Sequence, residues 1–132
     1  MNIETVKSLF SLFSGEEDCR KFMPVIELAI AETEKMLVSD AAALDLRADY
    51  LCAAFANYRY CQIISAKDRT MSAAAGKLLT TPENSGTLKY AGKLLSDYID
   101  LCSDIVKSGT FMFMSFGSNP EREDNNDKGN NC

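Results

Sequence analysis

The sequence predicts an all-α fold, a small bundle of four main helices around a central buried helix, with a short C-terminal apolar β-segment. Three observations carry this. Between residues 50 and 66, Arg59 is the single charged residue and apolar or small side chains occupy nearly every face, as in a helix enclosed by others. Residues 24–38 and 87–107 instead repeat apolar side chains at steps of three and four, the period of a helix with one buried face. Residues 110–117, TFMFMSFG, look instead like a strand, and one that is apolar on both sides.

At 132 residues the chain holds one core and not two, so residues 1–117 form a single helical domain. Residues 118–132, rich in Asn and Asp and without a core-forming side chain, are expected to be a disordered polar tail. A net charge of -5 argues against a nucleic-acid binder that relies on bulk positive charge. It also argues against a membrane-surface role, and no apolar run reaches spanning length. The start of the chain, MNIETVKSLF, lacks the pattern of a secretory signal, and five cysteines without a CxxC pair fit a reducing, cytosolic setting. The chain has no histidine, which removes His-based triads and the commonest transition-metal ligand together.

Taken in order, residues 2–13 read as a short amphipathic helix capped by Asn2, with Ile3, Val6, Phe10 and Phe13 as a stripe. So greasy a face on so short a helix must pack on the domain or on a neighbouring subunit. Ser14 and Glu17 have the spacing of a capping box, and Pro24 suits the first turn of the helix that follows. Phe22, Ile26, Ala29, Ile30, Thr33, Met36 and Leu37 form its inner face, while Glu27, Glu32, Glu34 and Lys35 are read as solvated. Ser39 and Asp40 offer a cap to the central helix, whose first turns are wetted by Asp45, Arg47 and Asp49. Two readings stand for Arg59: snorkelling to solvent along its own stem, or a charge held at a subunit contact and paired to a carboxylate.

The pattern lapses over residues 68–86, where Gly76, Pro82 and Gly86 are turn formers and 78–81 suggest a short strand. Residues 87–107 are the clearest helix, with Leu88, Ala91, Leu95, Tyr98, Cys102 and Ile105 on one face and Ser108-Gly109 as its stop. Asp97, Asp100 and Asp104 form an outer ridge, read as surface charge or as partners for basic residues of a neighbouring subunit rather than as a divalent-metal site. In the apolar segment Phe111, Phe113 and Phe116 are contact candidates, since a strand apolar on both faces needs covering by its own helices or by a neighbouring copy.

This order of parts resembles the small head-to-tail connector, or adaptor, proteins of tailed bacteriophages and prophages. The likeness rests on a helix like PVIELAIAETEKML, a tyrosine-bearing helix like ADYLCAAFANYRYCQI, a loop around AAGKLLT, a long helix like LKYAGKLLSDYIDLCSDIV and the aromatic end FMFMSFG. It implies a non-catalytic subunit without cofactor or metal. It also implies a homo-oligomeric ring between portal and tail proteins, through which double-stranded DNA passes unread, at the head–tail interface of the virion after assembly in the bacterial cytoplasm. The residues that would meet neighbouring subunits are Phe10, Phe13, Arg59, Asp97, Asp100, Asp104, Phe111, Phe113 and Phe116. The alternative from another class is a small cytosolic dimeric helical module that regulates or binds a protein partner. An enzyme built on the aspartate ridge and a divalent ion ranks third.

Overall fold

The computed structural model describes residues 1–74 and 82–108, with side chains over 1–67 and 86–108. Four helices result: α1 (Ile3–Ser14), α2 (Met23–Met36), α3 (Leu46–Ala74) and α4 (Pro82–Leu101). Single 3-10 turns precede α2 (Cys19–Phe22) and α3 (Ala41–Leu44). The expected strands at 78–81 and 110–117, the tail, and the contact candidates Phe111, Phe113 and Phe116 lie outside the described residues.

The central helix is α3, and the other three pack around it. Its first half is a nearly unbroken buried run from Ala48 to Asn57, with only Tyr50 half-buried. Ala48, Cys52, Ala53, Ala54 and Ala56 are each fully buried, and small side chains there let neighbouring backbones come close. α1 lies parallel to α3: the Asn2 backbone N–H donates to Asp49 Oδ1 at 3.1 Å, and farther along Phe10 meets the Tyr60 ring at 5.6 Å. α4 runs antiparallel, with Tyr98 against Tyr50 at 5.6 Å and Gly92 against the Tyr58 ring. α2 is antiparallel as well, from Phe22 on Tyr60 at 5.0 Å to Thr33 beside the Cys52 thiol. Phe10, Ile26, Leu51 and Ile99, one from each helix, are the largest fully buried apolar side chains, and each contributes about 1.5–3 kcal/mol of burial.

Capping follows the sequence at α1 and departs from it afterwards. Asn2 Oδ1 accepts from the N–H groups of Glu4 and Thr5, and Gly15 closes the helix at φ 81°, where a side chain would strain the backbone. Ser14 and Glu17 do not form a capping box. Ser14 Oγ takes the Glu16 N–H, Asp18 caps the 3-10 turn that follows, and α2 waits until Met23, with Pro24 in its first turn. Ser39 likewise caps the 3-10 turn at Ala42, and Asp45 Oδ1 accepts from the Arg47 N–H where α3 begins.

Both long helices end elsewhere than the apolar periodicity suggests. α3 continues through the alanine-rich residues to Ala74, and α4 begins at Pro82, whose missing N–H is harmless in a first turn. α4 stops at Leu101 instead of Lys107, because the chain turns to form an antiparallel bridge between Val106 and Leu37. Val38 N–H donates to Ile105 O at 2.9 Å and Lys107 N–H to Met36 O at 2.7 Å, clasping the C-terminal ends of α2 and α4. Buried Cys102, Ile105 and Val106 keep the inward face that the stripe requires while leaving the helix.

Candidate functional site

Charged side chains expected on the surface turn out to be structural ties. Asp49, read as wetting the first turns of α3, is buried and holds the amide of Asn2. Arg47 uses all five donors. Its Nε and Nη2 go to Asp45 at 3.1 and 2.8 Å, its Nη1 and Nη2 to Asp104 at 2.8 and 3.1 Å, and Nη1 also reaches Leu101 O at 3.0 Å. Hydrogen bonds from Arg47 hold Asp45 down at about 2 and lower Asp104 as well, while the two carboxylates raise Arg47. This clasp binds the start of α3 to the turn that ends α4.

The aspartate ridge therefore does not act as one unit. Asp104 lies past the end of α4 and belongs to Arg47, whereas Asp97 pairs with Lys93 at 2.7 Å one turn earlier. Asp100 is exposed between them. Arg59 is tied within its own chain: it meets Glu32 of α2 at 3.3 Å, donates to Gln62 at 3.1 Å and lies 5.0 Å over the Phe55 ring. Glu32, expected in solvent, is half-buried, and its Oε1 is enclosed without a hydrogen-bond partner. Phe10 is fully buried in its own core and is no contact surface. Phe13 is half-buried, its ring 6.0 Å from Tyr98.

Cys52, Cys61 and Cys102 are buried, as the helical pattern suggests. Burial pushes the Cys52 thiol up to about 12 and the Cys102 thiol to about 11, which makes them poor nucleophiles. Among the described residues no group of three or more Cys, Asp or Glu side chains is arranged to hold a metal ion.

Two apolar surfaces remain, one at the start of α3 and one beside its middle. The first gathers where α2 and α4 end and α3 begins: Val38, Leu44, Leu46 and Leu101 are exposed there, Leu44 to 85%. These are four of the nine large hydrophobic side chains exposed among the described residues, more than scattered surface apolars would place at one end. The second is an open groove of about 380 Å³ between the end of α1, the middle of α3 and the first half of α4. Phe13, Ile64, Ala91 and Leu94 line it, Tyr90 stands at its rim 76% exposed, and Asn57, Tyr60 and Cys61 add a more polar lining. Tyr60 is fixed there by edge-on contacts with Phe10 and Phe22, and its hydroxyl donates to Glu16; burial first, then that bond, raises the phenol.

No family model matches the chain, and neither curated proteins nor solved structures give a match.

Of the expected contact residues, only Phe13 lines either surface among the described residues. Leu44, Leu46 and Tyr90 were not singled out from the sequence. A signal existed at the first two: they flank Asp45, a residue suited to starting a helix, so both fall outside the buried stripe of α3.

Proposed function

We propose that the chain is a structural subunit that associates head to tail into a ring, as the head–tail connectors of tailed bacteriophages do. The observation that supports this best is the pair of unlike apolar surfaces, one at the start of α3 and one beside its middle. A two-fold dimer buries one patch against its own copy, whereas two different patches that fit each other generate a ring when the rotation closes. The order of helices, loop and aromatic end adds the connector likeness. In that role the subunit completes a channel between portal and tail, binds no cofactor, performs no catalysis and lets DNA pass. Its acidic balance suits a wall that does not grip phosphate.

Complementary surface-blocking variants test the reading. Leu44→Ser with Leu46→Ser disables one surface, and Tyr90→Ser disables the other; these side chains are exposed, so the fold is expected to survive. Each variant alone should fail to form rings, and a mixture of the two should stop at pairs, read by native mass spectrometry and negative-stain images. A stable dimer of the unmodified chain, dissolved by one variant and untouched by the other, would favour a two-fold module instead. Portal, capsid and tail genes beside its own gene would support the phage assignment.

A further inference from the structure

Along α4 the exposed charges are sorted by sign. Lys89, Lys93, Asp97 and Asp100 follow one another at steps of four, four and three, which sets them on one exposed ridge of the helix. Lys93 and Asp97 meet at its centre at 2.7 Å, with Lys89 toward one end and Asp100 toward the other, roughly 16 Å apart at 1.5 Å per residue. Each end of the ridge adjoins one of the two apolar surfaces. Tyr90, at the rim of the groove, follows Lys89, and exposed Leu101 of the other patch follows Asp100. Helix stability does not account for Asp100: a carboxylate in the last turn opposes the helix dipole, and that turn holds no cation to offset it. Arg47 spends its donors on Asp45, Asp104 and the Leu101 carbonyl and has none left for it. Among the described residues Asp100 forms no hydrogen bond or ion pair.

We infer that this ridge sets the direction of the subunit contact: the leucine patch of one copy seats in the groove of the next, and Asp100 of the first then faces Lys89 and Lys93 of the second. The inference rests on the ring reading and names the groups that make its contact one-way. A two-fold contact at the leucine patch sets Asp100 against its own copy, and one at the groove sets lysines against lysines. Both are penalised by like charge, whereas the head-to-tail contact joins opposite charges. Charge at the rim of a contact fixes register and orientation more than it adds affinity. The apolar surfaces therefore supply the attachment and the ridge supplies the polarity.

Charge reversal in the full-length chain tests it. Lys89→Glu and Asp100→Lys are made singly and together; both side chains are exposed, and thermal melts check that each variant folds. Each single reversal sets like charges across the contact. It should raise the protein concentration at which half the chains are in rings by at least about ten-fold, read by sedimentation velocity and native mass spectrometry. The two reversals in one chain restore opposite charges and should return that concentration to within about three-fold of the unmodified protein's. A second readout needs no variant: raising salt from about 50 to about 500 mM should weaken assembly of the unmodified chain. Single variants that assemble as readily as the unmodified chain, a combined variant no better than the worse single one, or assembly indifferent to salt would overturn the inference. If Tyr90→Ser still abolishes rings in any of those cases, the ring reading stands without it. An unmodified chain that never exceeds a dimer overturns both. Reversals that spare self-association and weaken only the contact with a portal protein would give the ridge to that partner and overturn the inference.

Discussion

Arg47 decides how the two long helices are joined, and its chemistry gives a pH signature. Asp45 sits at about 2 in the folded chain, well below an unpaired aspartate, and Asp104 is lowered too. A carboxylate with a depressed folded-state pKa lends stability that is present above its unfolded value and lost as protons return. Stability should thus hold down to about pH 4 and fall as pH drops toward 2, while Arg47→Met flattens that acid limb. Thermal melts across this range check it; parallel acid limbs in both proteins would remove the clasp from the account. Arg59 makes a smaller claim. Its contacts with Glu32, Gln62 and Phe55 are partly exposed, so Arg59→Ala should lower stability by about 1 kcal/mol in urea titrations. At this scale the sequence was least legible. Glu32, Asp49 and Asp104 look like solvent-facing acids, because nothing in spacing reveals that a residue 27, 47 or 57 positions away supplies their partner.

Helices were legible because burial imposes a period on them. The central role of α3 followed from its apolar faces, and Asn2, Gly15 and Pro24 mark real helix ends because each has a local backbone reason to sit there. The end of α4 was hidden, since its stripe continues through Cys102 and Ile105 after the helix has given way to a turn and a bridge. Close approach between α3 and α4 depends on Gly92, where a Cβ would lie 3.3 Å from Tyr58 Cε1. A methyl group asks the Tyr58 ring to shift by a few tenths of an ångström; a larger side chain cannot be absorbed so easily. Gly92→Leu should therefore destabilise the fold by about 2 kcal/mol, measured by chemical denaturation, while Gly92→Ala stays within about 1 kcal/mol, its crowding offset by better helix propensity. Equal, small effects would show that α4 does not press on Tyr58.

For the whole molecule, one hub helix fills the interior and leaves apolar surface at its start and beside its middle. The sequence placed unsatisfied apolar area on Phe10, Phe13, Phe111, Phe113 and Phe116; the core absorbs Phe10, Phe13 lines the groove, and the other three lie outside the described residues. Tyr90, which remains outside, breaks no pattern strongly enough to be read ahead of the fold. The proposed role follows from the two surfaces being different, so particle mass is the quantity to measure. Sedimentation velocity over a wide concentration range, with and without a portal protein, tests ring assembly most directly. The account predicts a closed species larger than a dimer, seen as a ring in micrographs and lost in Tyr90→Ser. A monomer or dimer at every concentration, unchanged by the portal protein, would contradict it.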